Sequence, residues 1–157
     1  MSKSMDNRWS NFQFRDYVFT ELKFSIHKDW WKNIQFEEAP ARIAFDVKIN
    51  IEEEETVDRG EIELICGIND DDNSQNDTPF EIKTVMLGRF YIENKIDKKT
   101  MEQFLRINGV AAMFPFLRSA IADLSRIGNI EPTMLLPLMN VNTMISQMKN
   151  STLFDKN

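Results

Sequence analysis

Histidine and cysteine are almost missing from this chain of 157 residues, which has one of each, His27 and Cys66. That scarcity excludes a histidine-pair metal site and a cysteine ligand set, because both need several such side chains at fixed spacing. Glycine is sparse as well, with five residues scattered singly. Neither a phosphate-cradling loop nor a nucleophile elbow can be built from them. No uncharged run approaches the roughly 18 residues of a membrane-spanning helix, and Met1 to Arg8 is polar rather than a secretory leader. A cytoplasmic protein without membrane insertion is expected, and Cys66, within an apolar run, reads as a small buried hydrophobe in a reducing compartment.

Positive charge is also in deficit. Lys and Arg total 19 against 25 Asp and Glu, a net charge of −6 with a pI of about 4.9. A nucleic-acid partner would need clustered cations and is not expected. The acid concentrates at Glu52-Glu53-Glu54-Glu55 and at Asp70-Asp71-Asp72 with Asp77, which read as solvated turns between strands. Nothing selects two carboxylates from the 25 as a converging acid and base pair. No metal, no cofactor and no enzyme activity are expected.

What is present is periodic. Residues 1–10 read as a disordered lead, 11–149 as a single domain and 150–157 as a short polar tail. Phe12, Phe14, Tyr17, Val18, Phe19, Leu22, Phe24 and Ile26 form a long aromatic strand whose alternation changes phase near Asp16-Tyr17, as a bulge would make it. Residues 27–40, with Trp30, Trp31, Ile34 and Phe36 among charges, read as a long connection. Ile43, Phe45, Val47, Ile49 and Ile51 alternate strictly with polar or small residues, the period of a half-buried strand. A turn over Glu52–Gly60 leads to a third strand with Ile62, Leu64, Cys66 and Ile68 on one face. Phe80–Ile92 is the fourth. Short polar connections favour an antiparallel meander.

From Asp97, a candidate cap, the period becomes helical, with Met101, Phe104, Leu105 and Asn108 on one side. Asn108-Gly109 punctuates the start of a core helix whose stripe runs Met113, Phe116, Leu117, Ala120, Ile121, Leu124 and Ile127. Pro115 belongs within or just before its first turn, and Gly128 is placed as a left-handed stop. Pro132 and Pro137 interrupt the next stretch, and a final helix from near Asn140 carries Val141, Met144, Ile145 and Met148. Four strands followed by helices predict an α+β fold with the helices packed on one face of the sheet. Six of the nine methionines lie from Met101 onward, and unbranched thioethers suit surfaces that adapt to irregular partners.

The chain resembles the SecB-type protein-export chaperones. The likeness runs through Phe12-Gln13-Phe14, Glu21-Leu22-Lys23-Phe24 and Phe80 to Ile92. It is sharpest in Phe114-Pro115-Phe116-Leu117-Arg118, Ile127-Gly128 and Leu136-Pro137-Leu138-Met139-Asn140-Val141, and it covers roughly residues 11–149 in order. It implies a four-stranded antiparallel sheet with helices on one face, in a homotetramer built as a dimer of dimers. The implied activity is ATP-independent holding of unfolded or precursor proteins for export, without a cofactor.

In such a protein a crossover connection between the first two strands and the last helix wall an apolar client groove. The resemblance places Trp30, Trp31, Ile34 and Phe36 opposite Leu136, Met139, Met144, Ile145 and Met148. The long helix contributes to the oligomer, so Phe114, Phe116 and Leu117 face either another subunit or the sheet. Glu21 matches an acidic position that contacts the SecA motor. Two family acids are replaced, by Ser25 and by the reversed charge of Lys83, and the tail Ser151–Asn157 is short. Protein export with altered SecA coupling, a dedicated chaperone for one partner such as an antitoxin, and a scaffold that binds no unfolded chain all stay open.

Overall fold

The architecture comes from a computed structural model, which describes residues 12–28, 42–70, 78, 80–130, 134 and 136. Strands β1 (Phe12–Ile26), β2 (Ile43–Asn50), β3 (Thr56–Ile68) and β4 (Phe80–Asp97) form one antiparallel sheet in the order β1-β4-β3-β2. The expected meander therefore holds only for β2, β3 and β4. β1 pairs with the other edge of β4, three strand positions from β2, or about 14 Å at the usual strand spacing. Only a long connection spans that distance, and residues 27–42 supply it.

Two bulges shape β1. Its register against β4 shifts between Phe14 and Asp16, as the change of phase predicts, and again between Phe19 and Glu21, a second shift that the expected strand did not include. Each extra residue restores the facing, so Phe12, Phe14, Tyr17, Phe19, Leu22, Phe24 and Ile26 all pair with the even-numbered, core-facing residues of β4. β3 begins at Thr56, before the expected end of the turn, and β4 runs past Ile92 to Asp97. Gly60 thus lies inside a strand, where a Cβ would stand 2.5 Å from the Leu105 side chain. Glycine there lets the helix sit down on the sheet.

Helix α1 (Lys98–Phe104) opens on Asp97, whose carboxylate accepts from the Thr100 amide at 3.0 Å and the Thr100 hydroxyl at 2.7 Å. These hydrogen bonds hold the Asp97 carboxyl below its ordinary pKa. A π-helical turn, Leu105–Gly109, then carries the helix without a break into α2, Val110–Ile127. Asn108-Gly109 is therefore no boundary. The wider turn shifts the helical phase. Asn108 becomes exposed, and Gly109 takes a packed position where a Cβ would lie 2.5 Å from Ile62. Pro115 sits inside α2, on its exposed side.

The buried stripe of α2 is Val110, Met113, Phe114, Leu117, Ile121 and Ser125. Of the expected stripe, Phe116 and Ile127 are exposed, at 40% and 82%. α2 carries two adjoining apolar rows, and a helix lying on a flat sheet buries only one of them. Gly128 is not left-handed, since its φ is −72°; Asn129, at φ 58°, makes the reversal. Gly128 is small for another reason: a Cβ would overlap the ring of Phe24. Between the layers, Ile62, Leu64, Cys66, Ile68, Ile82 and Met86 meet Met101, Leu105, Met113, Leu117 and Ile121, all with no exposed surface. Each Ile, Leu or Met among them contributes about 1.5–3 kcal/mol by leaving water.

Candidate functional site

Among the described residues no group of three or more His, Cys, Asp or Glu is placed to hold a metal ion. Cys66 is fully covered by the core, and burial pushes its thiol up to about 12. It stays protonated and unreactive at neutral pH. Binding surfaces are what the chain offers.

Of the residues expected to wall an apolar groove, Trp30, Trp31, Ile34, Phe36, Met139, Met144, Ile145 and Met148 lie outside the described residues. Leu136 is described, and its side chain has no exposed surface. It is fully buried in the core, and its carbonyl accepts from Arg118 Nε at 2.9 Å. At Leu136 the chain thus meets α2. Burial of so large an apolar side chain is worth more against the helix than in water.

A second apolar surface lies at the free edge of β1. Tyr17 and Leu22 point to the helix side of the sheet yet are 41% and 50% exposed. Phe116 lies beside Tyr17, its ring 4.6 Å from Tyr17 and 5.8 Å from Phe14. The three long-helix candidates therefore separate: Phe114 and Leu117 are spent on the core, and Phe116 alone is open. Sequence reasoning did not assign Tyr17 and Leu22 to a surface. Their signal was the three-residue step from Phe14 to Tyr17, repeated from Phe19 to Leu22, which keeps aromatic and aliphatic residues on one face through two bulges.

The opposite face of the sheet mixes apolar residues, among them Val18 and Leu87, with charges that pair with one another. Asp16 is held by Arg89 through both carboxylate oxygens, with Nε to Oδ1 at 2.8 Å, which lowers the Asp16 pKa. Lys83 lies 3.8 Å from Glu21, and Lys23 lies 3.7 Å from Glu81. The Glu81 carboxyl is raised, first through its hydrogen bond with Asp70. A cleft of about 740 Å³ at one end of this face includes Arg15, Arg59 and Arg89. Glu52 and Glu61 share its lining, and Arg15 stacks on the Tyr91 ring at 5.6 Å. The guanidinium groups there have neighbours of opposite charge and make no basic patch. Glu21, matched to an acidic contact position, is paired rather than free.

The family described as "Preprotein translocase subunit SecB" matches residues 19–151. Among curated proteins no sequence gives a significant match. A solved structure, the Mycobacterium tuberculosis SecB-like chaperone Rv1957 in complex with a ChAD peptide from the HigA1 antitoxin, is similar over 83% of this chain and 91% of that chain, with a TM-score of 0.63 and 13% identity.

Proposed function

The chain belongs to the SecB family, and on that premise we propose that it is a holding chaperone, binding unfolded polypeptides in an apolar groove without ATP chemistry. The family match takes in both stretches expected to wall that groove, the Trp30-Trp31 connection and the Met139–Met148 stretch, and this observation carries the reading. Each exposed apolar side chain of a client that enters the groove gains about 25 cal/mol for every Å² removed from water. Several grooves on one tetramer raise the local concentration of sites, so a long client binds tightly while each segment exchanges quickly. The exposed Tyr17, Leu22 and Phe116 supply an apolar surface for assembly, as a dimer of dimers requires.

Between export and service to one partner, the Glu21–Lys83 pair favours the second. A carboxylate already facing an ammonium group offers less to a cationic docking partner such as SecA. The solved SecB-like chaperone with an antitoxin peptide supports the same reading, of a dedicated client such as an antitoxin. The protein is proposed to work in the cytoplasm and to catalyse no reaction.

Light scattering of a chemically unfolded, aggregating client tests the proposal. The purified protein, without nucleotide, is expected to suppress scattering with saturation near one client per tetramer. No suppression at several-fold excess over the client would overturn general holding. Trp30→Ala combined with Met144→Asp is expected to abolish holding while the particle keeps its mass.

A further inference from the structure

The two edges of the sheet are built differently. β1 has two register shifts against β4, which break the even spacing of its backbone groups. β2 pairs with β3 from Ile43↔Ile68 to Asn50↔Glu61 without a shift, and it contains no proline. Bulges, prolines and charged side chains are the devices by which an exposed edge refuses another strand. Of these β2 has only the charges of Asp46 and Lys48.

Which backbone groups β2 leaves over follows from the residue before it. The Arg42 carbonyl accepts from the Asn69 amide at 2.8 Å, and the Arg42 amide donates to Asn69 Oδ1 at 2.9 Å. Arg42 thus turns both backbone groups towards the end of β3. In an unshifted antiparallel ladder this orientation alternates, so Ala44, Asp46, Lys48 and Asn50 face β3, and Ile43, Phe45, Val47 and Ile49 face away. Among the described residues, Ile43–Asn50 make no hydrogen bond outside the β3 ladder. Each of the outward residues therefore offers one N–H and one C=O.

The side chains of the same residues lie on the core-facing side, opposite Ile68, Cys66, Leu64 and Ile62. Phe45 is buried, whereas Ile43, Val47 and Ile49 are half-buried and pack against the margin of the core. An incoming strand meets backbone partners and an apolar margin at one set of positions. On the other face its neighbours include Asp46 and Lys48, one charge of each sign, which together select for neither.

We propose that the free edge of β2 binds client, taking an extended segment of an unfolded polypeptide, apolar at alternate positions, as a fifth strand of the sheet. The inference rests on the holding-chaperone reading and gives it a mode of recognition. Main-chain groups are common to every unfolded chain, so a ladder binds unrelated sequences while the alternate apolar residues select the segment. A second copy of the chain suits this edge less well. With eight residues in β2, at about 3.4 Å each and a sheet about 10 Å thick, the edge presents roughly 270 Å². Two such edges bury about half of the roughly 1,000 Å² that a stable interface needs. A client segment needs less, because other segments of its chain occupy further sites on the particle.

The test titrates a fluorescent peptide as long as β2, with valine and isoleucine alternating with threonine and lysine, into the full chain. Two further peptides carry backbone N-methyl groups, one on every apolar residue and the other on every polar residue. A strand turns only one of these sets towards its neighbour, and slipping by one residue to present the other puts its apolar side chains on the wrong face. One methylated peptide is expected to bind about tenfold more weakly than the unmethylated one, and the other within about threefold. Loss at the apolar set means an antiparallel strand, and loss at the polar set a parallel one.

Val47→Pro removes an outward N–H and none from the β3 ladder, so it is expected to weaken the unmethylated peptide about tenfold at unchanged particle mass. Lys48→Pro removes a ladder donor and is expected to lower the thermal midpoint further than Val47→Pro does. Three results overturn the inference alone, provided the parent still holds the unfolded client of the scattering assay. They are no binding of the unmethylated peptide, equal binding of both methylated ones, and unchanged peptide binding in folded Val47→Pro. A fall in particle mass in Val47→Pro gives the edge to a second copy and also overturns it. A parent that neither holds the client nor binds the peptide overturns the holding reading and this inference with it.

Discussion

β3 and β1 present apolar residues to the same side of one sheet, with different fates. In β3, Ile62, Leu64, Cys66 and Ile68 have no exposed surface, whereas in β1 Tyr17 and Leu22 keep 41% and 50% of theirs. Once the two bulges of β1 are allowed for, both strands turn an apolar row to that side. They differ in what lies above them, because the helical layer meets the core side chains of β3 and β4 and leaves part of the edge strand uncovered. An apolar face can thus be a finished core at one end of a sheet and an unfinished one at the other. In a family whose resemblance implies a tetramer, the unfinished end is where assembly is expected.

The contrast is open to attack from both sides. The largest effect is expected at the sealed end: Leu117→Ala, at a position with no exposed surface, should cost about 2–5 kcal/mol of folding stability, read from the urea midpoint at constant m value. A loss under about 1 kcal/mol would mean that the core relaxes around the cavity. At the open end, Tyr17→Glu with Phe116→Glu should change the stability of a single chain by about 0.5 kcal/mol per site or less. The same double variant should reduce the mass of the particle in light scattering. An unchanged mass would remove the β1 edge from the assembly.

A smaller effect distinguishes the surface ion pairs and the helix cap from both ends. The folded-state pKa values of Asp16 and Asp97 lie below their ordinary value of 3.8. Their contribution is present above that value and is lost as the pH falls through the lower, folded-state values. Stability measured from pH 7 down to pH 5 should therefore hold level with respect to these two groups and decline below about pH 4. In Asp97→Ala the acid decline should be shallower. An identical slope in the variant would show that the cap does not titrate with folding.

Much of the fold was legible from local pattern. The four strands follow from a period of two, the Asp97 cap from its position before a helical period, and the first bulge from the lost phase at Asp16. Cys66 was legible as a core residue because its neighbours on the same face, Leu64 and Ile68, are aliphatic. The candidate site was less legible. Leu136 was expected in an open groove because nothing in the sequence shows that its side chain is buried and its carbonyl held by Arg118. Phe114, Phe116 and Leu117 could not be sorted between sheet and surface, since they fall on adjoining rows of one helix.

By itself, then, the sequence determined what depends on near neighbours: strand and helix periods, the cap, the scarcity of histidine and cysteine, and the family likeness. Only the tertiary structure decided what depends on distant ones. Strand order is one case as far as pattern goes, since the alternation of β1 is satisfied at either free edge and only the family likeness pointed to a crossover. The π turn at Leu105–Gly109 is another, because it brings the helix to a sheet surface that the helix's own residues do not encode. Gly60, Gly109 and Gly128 are the third: each is small because a side chain remote in sequence, Leu105, Ile62 or Phe24, occupies the space a Cβ would need. Packing is a property of pairs, and a single position in a chain does not reveal its partner.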